Sequence, residues 1–120
     1  MDEVYEKTLL YDFYGELLTD HQKRLFEAAV FEDLSLTEIA EEAGITRQGV
    51  HDQIRRTTKL LNEYEAKLHL VEKFLANEKI AREICELAQG DEKAQTEEEM
   101  SLRLKKIADL AGSMIAGFEN

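Results

Sequence analysis

The sequence predicts an all-α fold, and three observations support that prediction. The chain of 120 residues contains no proline and only six glycines, so few positions interrupt a helix. Apolar residues recur at spacings of three and four along most of the chain, which places them on one face of a helix. Several candidate helix starts carry a Ser or Thr followed three residues later by a Glu or Gln, the capping-box pattern.

The N-terminal segment predicts two helices that lead into a third. The first covers about residues 4–18. The second opens at a capping box of Thr19 and Gln22 and reaches about Phe31. The first helix is expected to bury a broad apolar face made of Leu10, Tyr11, Tyr14, Leu17 and Leu18.

Residues 35–61 carry the pattern of a helix-turn-helix. Ser35 and Glu38 form a capping box at the start of a short helix. Gly44 suits the left-handed conformation that ends a helix and turns the chain. Thr46 can cap a second helix, so a short helix, a turn containing glycine and a longer helix follow one another.

The second helix of this motif has a polar face suited to nucleic acid. If Val50 and Ile54 point inward, the helical period turns a set of polar side chains outward. Arg and Gln can make bidentate contacts with base edges, and Lys and Arg neutralise phosphates. The predicted nucleic-acid-binding residues are Arg47, Gln48, His51, Asp52, Arg55, Arg56 and Lys59. The alternative is that this arc is an ordinary solvated helix face.

The charge distribution limits the kind of binding that can be expected. A net charge of −11 argues against a general nucleic-acid coater, which needs a broad basic surface. Basic and acidic residues number 3 and 12 in residues 1–45, 6 and 4 in residues 46–75, and 6 and 10 in residues 76–120. The one positive segment contains the predicted reading helix, as in a selective reader with an acidic body. The pattern equally suits a protein-interaction module that uses the helix-turn-helix scaffold to bind a basic protein partner.

A seven-residue apolar repeat continues beyond the reading face. It predicts either a coiled-coil-like seam or an ordinary amphipathic helix packed on its own domain, with a break near residues 67–70 as a further option. The residues of this repeat are Val50, Ile54, Thr57, Leu61, Tyr64, Leu68, Val71 and Leu75.

The C-terminal part predicts two more helices. Asn77 can cap one that ends at Gly90, and Thr96 with Glu99 forms a capping box for the last. We therefore expect a helix-turn-helix domain over residues 1–76 and a C-terminal helical extension over residues 77–120. Both parts carry heptad stripes, which favours pairing within the monomer or in a homodimer. The stripe of the last helix consists of Met100, Leu104, Ile107, Ala111, Met114 and Phe118.

The sequence predicts neither an enzyme nor a metalloprotein. His21, His51 and His69 lack the spacing of metal ligands and Cys85 has no neighbouring ligand, so no zinc site is expected. There is no Gly-rich phosphate loop and no nucleophile motif, and no cofactor is expected. A single cysteine excludes an internal disulfide, and no apolar run approaches the length of a membrane span. We expect a cytoplasmic protein without membrane contact.

The sequence around the helix-turn-helix resembles two known groups of proteins. The stretch LLTDHQKRLFEAAVFEDLSLTEIAEEAGITRQGVHDQIRRT is similar to the last, promoter-reading domain of bacterial sigma factors. With YDFYGELLTDHQ before it and LLNEYEAKLHL after it, the chain more closely resembles the YlxM family. That family comprises small bacterial helix-turn-helix proteins encoded beside signal recognition particle genes. The resemblance covers residues 1–89 and leaves out residues 91–120, and Gly49 departs from the Ala expected at its position.

The resemblance has implications for both fold and function. It implies a sigma-factor-like helix-turn-helix bundle with a long recognition helix and extra C-terminal helices. It also implies a regulator or accessory component of the signal recognition particle pathway, which targets proteins. DNA is the expected ligand, the RNA of the particle is a second candidate, and a protein of the pathway is a further candidate partner.

Overall fold

The computed structural model describes residues 3–89 and 96–118, which fold into α-helices and one short 3-10 helix. No strand occurs in this part of the chain, so the predicted all-α class is confirmed. The 3-10 helix, Gly15–Leu17, follows the first α-helix, which ends before the predicted residue 18. The α-helices are α1 (Glu3–Tyr14), α2 (Asp20–Val30), α3 (Leu36–Ala43), α4 (Arg47–Leu68), α5 (Leu70–Gln89) and α6 (Glu97–Phe118).

The chain divides into two compact units, residues 1–71 and residues 72–120. Helix α5 begins in the first unit and continues in the second. The first unit contains the helix-turn-helix pattern, and the second contains most of α5 and all of α6. The assignment of two domains, with a boundary between residues 76 and 77, stays a prediction.

The core of the first unit is built around α4, which contacts α1, α2 and α3. Val50, Thr57 and Leu61 of α4 are buried. Because they pack inside their own unit, the predicted coiled-coil seam over residues 50–75 is wrong. The alternative of an amphipathic helix packed on its own domain describes α4 instead. Val50 lies in a cluster with buried residues of α2 and α3, namely Leu25, Ala28, Ile39 and Ala40.

Side-chain caps fix the starts of α2 and α3. The Thr19 hydroxyl accepts a hydrogen bond from the Gln22 backbone N–H, and the Gln22 side chain accepts one from the Thr19 backbone N–H. Ser35 and Glu38 make the same reciprocal pair at α3. Both predicted capping boxes are therefore confirmed, and each satisfies two backbone donors that a helix start leaves free.

An aromatic cluster joins α1 to α2. Tyr11 stacks on Phe26 with ring centroids 5.2 Å apart and meets Phe31 edge-on. The Tyr11 hydroxyl donates to Glu27, and burial together with this hydrogen bond raises the pKa of Tyr11 to about 12. Leu17 was expected on the buried face, but it is 57% exposed because the chain leaves the α-helical path in the 3-10 helix.

The junction between α4 and α5 is held by the side chains of Tyr14, from α1, and Glu65, from the last turns of α4. His69 has a φ of 57°, in the left-handed region, and α4 ends there. The Tyr14 hydroxyl donates to Glu65 Oε1 (2.5 Å) and accepts from the Leu70 N–H (3.1 Å). The same Glu65 oxygen accepts from the Val71 N–H (2.9 Å). Side chains of α1 and α4 thus satisfy the first two backbone donors of α5.

This junction shows why the predicted helix start at Asn77 is wrong. Helix α5 already begins at Leu70 and runs through Asn77 without interruption. Tertiary contacts supply a cap at Leu70, and these outweigh the local preference of Asn for a helix start.

Burial and the hydrogen bond to Glu65 raise the pKa of Tyr14, so its hydroxyl stays protonated and remains a donor.

In the second unit, α5 and α6 run antiparallel. Asn77, in the first half of α5, lies beside Gly117, near the end of α6: a Cβ on Gly117 would be 4.0 Å from Asn77 Oδ1. Toward the other end of the pair, Leu87 and Leu110 line one depression. This arrangement leaves every residue of α6 at least partly exposed.

Helix α6 starts after the predicted cap residue Thr96, whose hydroxyl makes one of the two hydrogen bonds of a capping box. The Thr96 hydroxyl accepts a hydrogen bond from the Glu99 backbone N–H (3.2 Å), and α6 begins at the residue after Thr96. The helix end predicted at Gly90 lies outside the described residues.

The Glu65 carboxylate should contribute more to stability than other carboxylates of α4. Glu65→Ala leaves the Tyr14 hydroxyl and the Val71 N–H without their acceptor, so we expect a loss of about 1–3 kcal/mol in the free energy of unfolding. Glu63→Ala, on the exposed side of the same helix, should change it by less than about 0.5 kcal/mol. Urea unfolding of both variants measures the difference. Equal losses would contradict the role given to the junction.

Candidate nucleic-acid interface

The turn between α3 and α4 sets where the second helix of the motif begins. Gly44 has a φ of 69°, and its N–H donates to the Ala40 carbonyl. The Ile45 N–H donates to the same carbonyl at 3.2 Å. Thr46 then caps α4, because its hydroxyl accepts from the Gly49 N–H at 2.9 Å. The chain therefore makes a short helix, a left-handed turn and a capped second helix, which is a helix-turn-helix.

The seven residues predicted to bind nucleic acid all lie on α4, and we call them the reading arc. Asp52 is half-buried, with its side chain 42% exposed, and the other six are exposed. They line two shallow depressions. Arg47, Gln48 and His51 share one with Leu36 of α3. The other is lined by Asp52, Arg55, Arg56 and Lys59.

The cations of the reading arc have no carboxylate partner within 4 Å among the described residues. This applies to Arg47, Arg55, Arg56 and Lys59. Elsewhere in the first unit, by contrast, the Lys23 ammonium lies 3.2 Å from a Glu16 oxygen. Four positive side chains on one helix surface are thus available to an anion such as a phosphate.

The first turn of α4 differs from that of the other described α-helices. Each of the other five carries at least one acidic residue in its first turn, and α4 carries none. It has Arg47 there instead. The partial positive charge of the helix start is therefore not balanced by a carboxylate of its own first turn.

Asp52 holds the Gln48 side chain near the start of the arc. The Gln48 amide nitrogen donates to Asp52 Oδ1 at 3.0 Å. The His51 Nδ1 lies 3.8 Å from the same oxygen, too far for a hydrogen bond. Asp52 and Gln48 are four residues apart, so the helix brings them together on one face.

Two residues near the arc could not be predicted from the helix pattern. Gln53 makes a 2.7 Å hydrogen bond to the His21 ring, which ties α4 to α2 at the edge of the arc. Leu36, the first residue of α3, forms one wall of the depression that holds Gln48. Gln53 and Leu36 each lie against residues of another helix. Periodicity within a single helix does not predict such contacts between helices.

The described residues contain no group of three or more His, Cys, Asp or Glu side chains arranged to hold a metal ion. Within the same residues, no helix is both long and apolar enough to cross a membrane. The one cysteine, Cys85, is exposed and has a free thiol.

The comparison with protein families decides what kind of helix-turn-helix this is. Residues 1–103 match UPF0122, described as "Putative helix-turn-helix protein, YlxM / p13 like". The chain belongs to this family. The match contains the whole helix-turn-helix and reaches into α6, beyond the residues 1–89 covered by the predicted resemblance.

Individual UPF0122 proteins are similar over most of their length. The one from Desulforamulus reducens is 42% identical over 112 residues, which cover 91% of this chain and 96% of the relative. The one from Acetivibrio thermocellus is 50% identical over 84 residues, 70% and 72% of the two chains. The one from Streptococcus gordonii is 43% identical over 86 residues, 72% and 78%. The predicted YlxM family is thereby confirmed.

The two glycines around the turn should respond to substitution in opposite directions. Gly44→Val places a β-branched side chain at a φ of 69°, and should cost about 1–2 kcal/mol or more of stability. Gly49→Ala should raise stability by up to about 1 kcal/mol through helix propensity. Thermal melting of the two variants measures both shifts.

The space at Gly49 is the point on which the second expectation depends. An added Cβ would lie 3.1 Å from the Thr46 hydroxyl oxygen, which is tight. Gln22 and Glu38 carry side chains at the same position behind their caps, and their cap hydrogen bonds are 3.2 and 3.1 Å long. The 2.9 Å hydrogen bond from the Gly49 N–H to the Thr46 hydroxyl can lengthen to a similar 3.1–3.2 Å when a Cβ is added. Shifts of equal size and sign would mean that this account of the turn is wrong.

Proposed function

We propose that this protein binds nucleic acid through the reading arc of α4. The observation that supports the proposal is a set of cations beside the Gln48 amide, on the exposed side of the second helix of a helix-turn-helix, which have no carboxylate partner among the described residues. In such a motif the second helix enters a groove, and residues near its start contact base edges. The exposed cations and the Gln48 amide give α4 the side chains that such a helix uses to contact phosphates and base edges.

The reading arc offers two kinds of contact. Arg55, Arg56 and Lys59 lie farther along α4 and are the candidates for phosphate contact, which positions the protein without reading sequence. Arg47 and Gln48 lie in the first turn and are the candidates for base contact. Because α4 lacks an acidic residue in that turn, its start also favours an approaching phosphate.

The acidic body of the protein opposes indiscriminate binding. Glu41 and Glu42 of α3 are exposed, and the chain as a whole carries a net charge of −11. Phosphates that meet the protein away from the reading arc are therefore repelled. We infer a selective reader with weak binding to random sequence.

We further propose that the protein is a cytoplasmic regulator or accessory component of the signal recognition particle pathway and has no enzymatic activity. This part rests on the resemblance to the YlxM family. DNA is the first candidate ligand, because α4 has the dimensions of a helix that enters a major groove. The RNA of the particle and a protein of the pathway are the other candidate partners.

The rival function is a protein-interaction module that binds a basic partner. The specific observation in its favour is the strong excess of acidic residues, which outnumber basic ones by 26 to 15. Under that hypothesis the reading arc is a solvated surface, and its cations are not needed for function.

Removal of two adjacent arginines separates these hypotheses. We expect Arg55→Ala/Arg56→Ala to weaken binding to all DNA sequences alike. Each phosphate contact releases counterions when the protein binds DNA. The loss of two such contacts should therefore flatten the log–log slope of affinity against salt concentration by about two units. Fluorescence anisotropy with a labelled duplex across a salt series measures the slope.

The matched control is Lys105→Ala/Lys106→Ala, which changes the net charge equally on exposed residues of α6. This control should leave the slope nearly unchanged. If the control flattens the slope as much as the arginine variant does, the effect is one of net charge and the reading arc is not the binding surface. If the arginine variant binds DNA and RNA as the wild type does, the rival function replaces the proposal.

We also propose that the protein forms a homodimer through α6. Burial of Val50, Thr57 and Leu61 removes the α4 stripe as a partner surface, so the support comes from α6 alone. Leu104 and Phe118 of the predicted stripe are fourteen residues apart, about four helical turns, and they are 65% and 66% exposed. Two copies could cover this apolar stripe by pairing.

A single charge on the α6 stripe tests the dimer. Leu104→Glu should shift the protein toward monomer in sedimentation at micromolar concentration, because a dimer would bury the added carboxylate. Leu102→Glu is the control: Leu102 is equally exposed but lies on another side of the helix. A wild-type protein that sediments as a monomer, or two variants that behave alike, would exclude this interface.

A further inference from the structure

The Gln48–Asp52 pair has a defined orientation within the reading arc. A carboxylate is only an acceptor when ionised, so the side of the Gln48 amide that faces Asp52 Oδ1 must be the nitrogen. This chemistry fixes which way the amide points. One of its two N–H groups is used in the 3.0 Å bond to Asp52.

The remaining groups of the Gln48 amide are available to a ligand. Its Oε1 accepts no hydrogen bond from any described residue, and its second N–H donates to none. The amide therefore presents one acceptor and one donor. In the major groove of DNA, adenine offers the complementary pair, since N7 accepts and N6 donates. Guanine offers two acceptors there and leaves the Gln48 oxygen unpaired.

Asp52 carries a negative charge in a surface that otherwise attracts phosphate. It shares a depression with Arg55, Arg56 and Lys59, yet its hydrogen-bonded partner is Gln48. Its charge should lower affinity for every nucleic acid alike. An effect on base choice has to come through the side chain that it holds.

We propose that Asp52 is a positioning residue that presents Gln48 to the major-groove edge of an adenine in DNA. This inference rests on the proposed function, because it assigns a base preference to the same helix. Without Asp52 the Gln48 side chain is free to rotate, and the donor and acceptor are no longer held for one base. The alternative is that this i,i+4 pair only stabilises the helix and has no effect on which base is bound.

The test begins with selection of duplexes from a DNA library with a randomised centre, using the full-length wild-type chain. The position read by Gln48 is the one at which Gln48→Ala loses base preference. Affinity is then measured for duplexes with each of the four base pairs at that position, and for one carrying 7-deazaadenine, which lacks the N7 acceptor. The two decisive variants are Asp52→Ala and Asp52→Asn.

The two variants separate charge from positioning. Both remove the same negative charge, so both should bind the duplexes without adenine at that position more tightly than the wild type at low salt. Asn can still accept the Gln48 hydrogen bond through Oδ1, and its own N–H can instead donate to Gln48 Oε1 with the amide reversed, whereas Ala can do neither. We expect the wild type to prefer adenine by about tenfold, and Asp52→Asn to keep a weaker preference for adenine, because only one of its two pairings with Gln48 presents the amide as in the wild type. That preference should vanish in Asp52→Ala, and 7-deazaadenine should reduce wild-type affinity by a similar factor.

A structural role is measured separately. In the Gln48→Ala background, Asp52→Ala should change base preference no further, because there is no amide left to position. Thermal melting of Asp52→Ala and Asp52→Asn shows whether either variant loses its fold. A loss of stability with unchanged base preference would assign the pair to helix support and overturn the proposal.

The other outcomes are equally decisive. Adenine preference that survives in Asp52→Ala, or that disappears in both variants alike, overturns the positioning role. A Gln48-dependent preference for another base overturns the choice of adenine. Binding to single-stranded RNA without binding to duplex DNA overturns this inference and leaves the proposed function standing. Binding to neither overturns both.

Discussion

The buried stripe of α4 is the constraint on which the rest of the structure depends. Val50, Thr57 and Leu61 lie on one side of the helix and face α1, α2 and α3. A helix has a single rotational setting, so burial of this stripe determines which residues remain outside. The reading arc is the complement of the buried stripe. A substitution that rotated α4 would exchange its cations for apolar residues at the same surface.

Both ends of α4 are fixed by different means. At its start, the left-handed Gly44 and the Thr46 cap define the first helical residue. At its end, the left-handed His69 stops the helix, and the Tyr14–Glu65 pair holds the next one. The helix can therefore present its arc as a rigid surface. A rigid reading surface loses less conformational entropy on binding than a mobile one.

The elements that the sequence predicted are those with local signals. Thr19 and Ser35 each lie three residues from their capping partners, so a short window contains the whole pattern. The Tyr14–Glu65 contact spans 51 residues and carries no such signal. This is why a helix start at Asn77 was expected, whereas a break near residues 67–70, where the structure ends α4 and begins α5, was only one of the options left open. The seam over residues 50–75 failed for a related reason, since periodicity shows an apolar face without showing what covers it.

The candidate site shows the same division. The helical period predicted which side chains of α4 are exposed, and the i,i+4 spacing of Gln48 and Asp52 was open to the same reasoning. The contact of His21 with Gln53, and that of Leu36 with the arc, required the packing of three helices. Binding itself depends on a partner, and neither periodicity nor packing within one chain identifies it.

The most direct test of the central claim is a map of the bound surface. Amide chemical shifts of the full chain are followed by NMR while a duplex DNA is added at low salt. We expect the signals that move to come from residues 46–59 and from Leu36, with those of α6 unchanged. Shifts centred on any other surface, or none at all with both DNA and RNA, would contradict the claim that α4 is a nucleic-acid reader.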